Sequence, residues 1–309
     1  DPEGRGRALG CRHAKHCSAS AAPGRPTRRN RPALPATIGR VRVHIITDME
    51  GVAGITRWEQ VQGGAPMYEE ARRLYTEEIN AAVRGARAGG ATEVVVMDHH
   101  GAGREWSFNS LMPELLDAGC EFVVQQTWTE YSAFLERGCD ACLLVGMHAR
   151  AGTLDGLMNH TISTSAWQNL WFNDVLVGEI GINAAFCGTF GCPVLLVTGD
   201  AASCREGREL LGEGLPTVAV KEAFRRTSAR HVAPQRARLL IEEAARSCLG
   251  DLSAVPPYDP GRPSEIRAQF IQTGAFEDYR RRPGVEVVDD RTLVSRAPDW
   301  WTAWRQLYL

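Results

Sequence analysis

From residue 41 onward, short runs of β-branched and apolar residues alternate with stretches whose apolar positions recur at helical spacing. "VRVHIIT" (41–47), "EVVVMD" (93–98), "EFVVQQ" (121–126), "ACLLVGM" (141–147), "PVLLVTGD" (193–200) and "TVAVK" (217–221) read as strands. "YEEARRLYTEEINAAVRGARAGG" (68–90) predicts a long helix closed by a glycine pair. Shorter helices are expected in "WTEYSAFLERG" (128–138), "CREGRELLGEG" (204–214) and "QRARLLIEEAARSCLG" (235–250). "LWF" and "VLVGE" flank the dipeptide Asn173-Asp174 as the arms of a hairpin. Strands alternating with helices predict an α/β fold with a largely parallel sheet flanked by helices, spanning residues 40–230. Residues 231–309 mix strand-like and helical segments into a smaller C-terminal α+β portion. It ends with Trp300, Trp301 and Trp304, aromatics placed to complete a core or a subunit contact.

Residues 1–39 break this pattern. They are rich in Arg, Ala, Pro, Gly and Ser and poor in large apolar side chains, so they are expected to be a disordered basic extension. They lack the continuous apolar core of a secretory signal. The chain begins at Asp1 rather than Met, as a fragment would. A hydrophobic share of 44% over 309 residues allows a substantial core, and a net charge of −2 gives no reason to expect nucleic acid or an anionic membrane as partner. No apolar run reaches the roughly 20 residues of a membrane span. The nine cysteines show no disulfide framework, and Cys139-x-x-Cys142 stands alone without a second pair or histidines at zinc-finger spacing. Buried free thiols in a reducing cytoplasm are expected.

Chemistry gathers at three strand exits, where ligands of parallel sheets collect. The first delivers Asp48 and Glu50, which share a face while the chain stays extended; the second delivers Asp98, His99 and His100; the third, His148 and Arg150. Two later segments, "LDGLMNHTIS" and "WFNDVLVGEIGINAAF", add His160 and Glu179. Any one of these reads equally as a cap, a turn residue or a satisfied buried imidazole. Together they are unpaired acids and imidazoles that resist burial unless a cation neutralises them. Oxygen and nitrogen donors without thiolate suit zinc or manganese and allow two ions.

The blocks "DMEG", "MDHHG", "GMHARAG", "GLMNHT" and "VGEIGINA" occur in the order found in the D-aminopeptidases of peptidase family M55, which this sequence resembles from about residue 41 to about 230 and more weakly to the C-terminus. The resemblance implies that Asp48, Glu50, His100, His148 and Glu179 bind a pair of zinc ions and that His160 is the catalytic residue. It also implies a ring-shaped homo-oligomer acting on short peptides, with preference for D-residues. The family pattern keeps Asp, one free position and His, so His100 is the ligand and His99 fills the free position. Two zinc ions need about eight donor bonds, and five residues with one bridging carboxylate supply about six, leaving room for substrate and water.

On this reading a metal-activated water attacks the peptide carbonyl, with His160 acting on a proton or more directly on the substrate. Asp98 is expected to orient an imidazole, Arg150 to form a structural ion pair or meet a substrate carboxylate, and Asn183 to serve the pocket or cap a following helix. Two rivals remain: a dinuclear metallophosphoesterase, whose Gly-Asp-x-x-His block is absent here, and a small-ligand-binding module using Gly51 and Gly54 as a phosphate loop.

Overall fold

The structure is a computed structural model that describes residues 39–126, 129 and 131–308. The expected disordered extension, with Cys11 and Cys17, lies outside the described residues apart from Gly39.

Strand β1 (Val41–Thr47) is buried along nearly its whole length and leads through a long loop, residues 48–67, with a short 3-10 turn at Trp58–Gln60, into helix α1 (Tyr68–Ala88), which ends at Gly89 as its glycine pair requires. Next come β2 (Ala91–Asp98), the short β3 (Glu121–Val123), α2 (Ala133–Glu136) and β4 (Ala141–Met147). The helical reading of 128–138 therefore survives over four residues only, with Trp128 and Glu130 outside the described residues. The expected hairpin forms from β5 (Trp167–Phe172) and β6 (Val175–Val177). Its turn residues Asn173 and Asp174 both take positive φ, 45° and 67°, as a two-residue turn between twisted strands demands.

The chain continues with α3 (Glu179–Thr189), β7 (Val194–Asp200), α4 (Ala201–Leu211), β8 (Thr217–Arg225), β9 (Ser228–His231) and α5 (Pro234–Cys248). It closes with β10 (Ser264–Phe270), α6 (Thr273–Tyr279), β11 (Val285–Asp289), β12 (Thr292–Ala297) and α7 (Trp300–Tyr308).

Seven strands form one sheet in the order β3-β2-β1-β4-β7-β8-β9, parallel except for β9. Helices α1 and α5 pack on each other and on this sheet, as do α3 and α4. β4 and β7 are buried throughout, which fits strands covered on both faces. A second, antiparallel sheet runs β11-β12-β10-β5-β6, so it joins the hairpin before residue 178 to strands after residue 263. Helix α7 packs on β10, β12 and α3 and ties this sheet to the first layer. Arg40–Leu309 forms one compact unit. No helix among the described residues is long and apolar enough to cross a membrane.

Candidate active site

Strand order reverses at β1, which has β2 on one side and β4 on the other, so a crevice opens beyond their carboxyl ends. The exits of β1 and β4 touch: the Asp48 N–H donates to the Val145 carbonyl (2.9 Å) and the Gly51 N–H to the Gly146 carbonyl (2.8 Å). Side chains would forbid this approach. A Cβ on Gly51 would lie 2.1 Å from the Met147 carbonyl oxygen, and one on Gly146, whose φ is +76°, 2.1 Å from that of Asp48. Two glycines thus bring Asp48 against His148 and keep Glu50 at the same pair of strand ends.

His100 arrives from the β2 exit through a turn built on Asp98. One Asp98 oxygen accepts from the Tyr75 hydroxyl (2.9 Å) and the His100 N–H (3.1 Å); the other accepts from the N–H groups of Ser110 and Leu111. Asp98 therefore holds the main chain of His100. Glu179 departs from its sequence reading: β6 stops at Val177, and Glu179 is the first residue of α3. That places its carboxylate at the positive end of a helix, where the Ile162 N–H also donates to it (2.7 Å).

Three imidazoles are fixed by main-chain carbonyls. His100 Nε2 pairs with Val61 O (2.8 Å), His148 Nδ1 with Ala149 O (2.9 Å) and His160 Nδ1 with Met158 O (3.0 Å). A carbonyl only accepts, so each bonded nitrogen carries a proton, and in the neutral ring the other turns its lone pair into the crevice. There His100 Nδ1 faces Asp48 Oδ1 (3.0 Å) and Glu50 Oε2 (3.1 Å). His148 Nε2 faces Asp48 Oδ2 (3.2 Å) and Glu179 Oε1 (3.3 Å). Acceptors facing acceptors in a buried site repel unless a positive charge stands among them. Glu50 Oε2 and His148 Nε2 are buried without a hydrogen-bond partner.

The donor set fits metal. Asp48, Glu50 and His100 form one group whose ligand atoms lie within 4.8 Å of one another, and His148, His160 and Glu179 form a second. Oxygen and neutral imidazole donors of this kind suit zinc. Burial disfavours charge on His100 and His148, yet Glu50 and Asp48 around the first ring and Glu179 and Asp48 around the second raise both well above the ordinary imidazole range, so the crevice attracts positive charge, and a metal would take the place of the protons these rings otherwise hold.

His160 differs. Burial, and then the neighbouring His148, lower its pKa, so it stays neutral. Its ring stacks on His148 with centroids 4.0 Å apart, and its Nε2 lies 3.9 Å from Glu179. His99 lines the cavity but belongs to neither metal group, and the Asn183 amide lies 3.5 Å from its Nδ1. Asn183 sits inside α3, so it caps nothing. Arg150 meets Glu206 through its main-chain N–H (2.8 Å) and guanidinium (3.5 Å), the structural ion pair of the two expected readings. The acid at the β7 exit, Asp200, is a helix cap whose carboxylate accepts from the Ser203 N–H (2.8 Å).

Sequence reasoning missed two parts of the site. Ile182, Phe186, Trp301, Trp304 and Tyr308 line one wall of the cavity, although three of them lie more than 120 residues after Glu179. Beneath the site, Lys221 is buried with its ammonium donating to the carbonyls of Glu50 (2.5 Å), Val52 (2.8 Å) and Ile55 (2.8 Å). A Lys closing the strand-like "TVAVK" was the only signal for it.

The family model for peptidase family M55, described as D-aminopeptidase, matches residues 41–309. The chain belongs to the M55 peptidases. This M55 peptidase is 30% identical over 272 residues to a D-aminopeptidase of Bacillus subtilis (strain 168), covering 86% of the chain and 95% of that relative. Its fold is similar to that of the Zn-dependent D-aminopeptidase DppA from Bacillus subtilis, a self-compartmentalizing protease, with a TM-score of 0.78 and 28% identity over 86% of this chain and 95% of that one. Membership sets aside the phosphoesterase reading. The phosphate-loop reading fails on geometry as well, since the Gly51 N–H is bound to Gly146 and the Gly54 N–H to His231 Nδ1 (3.0 Å).

Proposed function

We propose that this M55 peptidase is a zinc aminopeptidase with two metal ions, releasing N-terminal D-residues from short peptides. One observation carries the dinuclear reading: the two oxygens of Asp48 turn to different imidazoles, Oδ1 to His100 and Oδ2 to His148. Asp48 would then be shared by the two coordination groups. Glu50 and His100 complete one coordination group, and Glu179 and His148 the other. The Zn-dependent Bacillus relative supports zinc as the metal.

Bound zinc supplies a Lewis acid and a water that gives up its proton near neutral pH. The residues of the chain do the rest. Neutral His160 presents Nε2 to the cavity, with Nδ1–H pinned to Met158 O, so it can accept a proton at Nε2. As water oxygen bonds to the peptide carbonyl carbon, His160 takes the water's proton; it returns the proton to the leaving amine as the C–N bond breaks. Burial of the site keeps bulk water from competing. The self-compartmentalizing relative supports a closed homo-oligomer for this chain, and the free state of the described cysteines fits a cytoplasmic setting.

The test is zinc analysis together with release from D-alanyl and L-alanyl p-nitroanilide. The wild type is expected to hold two zinc ions per chain and to favour the D-substrate. His100→Ala should lose zinc and activity together, whereas His160→Ala should keep its zinc and lose about 10²–10⁴-fold in kcat. Loss of half the zinc in His160→Ala would make that residue a ligand instead.

A further inference from the structure

Helix α3 carries four residues into the cavity: Glu179, Ile182, Asn183 and Phe186. Their spacing of three, four and seven puts them on one helix face, which changes from carboxylate through amide to aromatic ring over about 10 Å. Helix α7 continues the apolar end. Trp301 meets Phe186 with ring centroids 5.3 Å apart, Trp304 stacks on Tyr308 at 4.8 Å, and all three α7 rings line the cavity. One cavity therefore has a charged end, where the scissile bond is placed above, and an apolar end of at least four aromatic rings.

We propose that this apolar end is the pocket for the side chain of the substrate's N-terminal residue, and that it selects large apolar side chains, aromatic or branched, over alanine. The inference rests on the aminopeptidase reading. In such a substrate the α-amine, side chain and scissile carbonyl all branch from one Cα, so a side chain pointing away from the charged end enters the space along α3. An alanine methyl extends only about 1.5 Å and leaves that wall uncovered. The peptide beyond the scissile bond is a poorer occupant, because its N–H and C=O groups each need a partner and this end offers only two indole N–H groups and the Tyr308 hydroxyl among its rings.

The experiment compares kcat/KM of the zinc-loaded protein on D-phenylalanyl and D-alanyl p-nitroanilide, which share a leaving group, and Ki for free D-phenylalanine and D-alanine. The phenylalanyl substrate is expected to be favoured by about 30-fold or more, with the same order in Ki. Ile182→Trp, which fills the pocket, should lower that preference at least tenfold. Trp301→Ala, on a half-buried ring, should lower it too and decides the matter if the first variant does not fold. Release from both substrates with no preference for phenylalanine, or a preference unmoved in the folded variants, overturns the pocket and leaves the aminopeptidase standing. Release from neither removes both.

Discussion

Lys221→Met isolates how the fold holds the Glu50 loop. Methionine keeps the length and apolar stem of the side chain but removes the three donors to the carbonyls of Glu50, Val52 and Ile55. Each buried carbonyl left unpaired costs about 2 kcal/mol, so the gross loss is about 6 kcal/mol. Part is offset. Burial outweighs the nearby Asp200, Glu78 and Glu50 carboxylates and brings the lysine pKa down from 10.5 to about 8, so removing the charge relieves about 3 kcal/mol. The net expectation is a loss of about 3 kcal/mol, or roughly 6 °C in melting temperature. Loosening a loop that carries a proposed ligand should also weaken zinc binding by about 10- to 100-fold. Thermal melting of the metal-free protein and a competitive zinc titration measure the two effects. A variant that melts within 1 °C of wild type and binds zinc within threefold of it would refute the reasoning.

Two further expectations concern the turn beside the site. Gly51→Ala places a methyl 2.1 Å from a main-chain oxygen that cannot move away, so the variant should lose several kcal/mol and its zinc; a melting temperature within 2 °C of wild type would contradict this. His231 accepts from the Gly54 N–H, and burial followed by the nearby Lys221 lowers its pKa from 6.5 to about 4. The unfolded chain therefore takes up the proton first, and stability present above pH 6.5 is lost as pH falls toward 4. Discounted for partial exposure, the loss is about 1–2 kcal/mol. Urea unfolding at pH 7 and pH 4.5 should show a smaller drop in His231→Gln than in wild type, and equal drops would sink the assignment.

What the sequence disclosed follows from where the signals are local. Strands β1, β2 and β4 were legible because each is a short apolar run ending in acid or imidazole, and those ends meet in space. Glu179 reads as a strand end because only Gly178 separates it from Val175–Val177. Helix α3 is buried through most of its length, so it lacks the polar stripe that marks a surface helix. The aromatic wall is hidden for another reason: Trp301 and Trp304 read as completing a core or a subunit contact, Tyr308 carries no signal of its own, and α7 does pack on the second sheet. Only the packing of α7 on α3 turns them toward the cavity. Asp98 reads as a partner for an imidazole because a carboxylate beside a histidine invites a side-chain contact; the turn's need to satisfy its main-chain donors leaves no mark in the sequence.

The three imidazole anchors carry a consequence for how freely this chain can vary. Val61, Ala149 and Met158 hold the rings through their carbonyl oxygens, an atom every amino acid possesses. Substitution at these positions leaves the anchoring atom in place as long as the backbone keeps its path. Relatives can therefore diverge there without turning a ring. Constraint moves instead to the positions that set the path, such as Gly51 and Gly146, where a single methyl group is enough to push the strand ends apart.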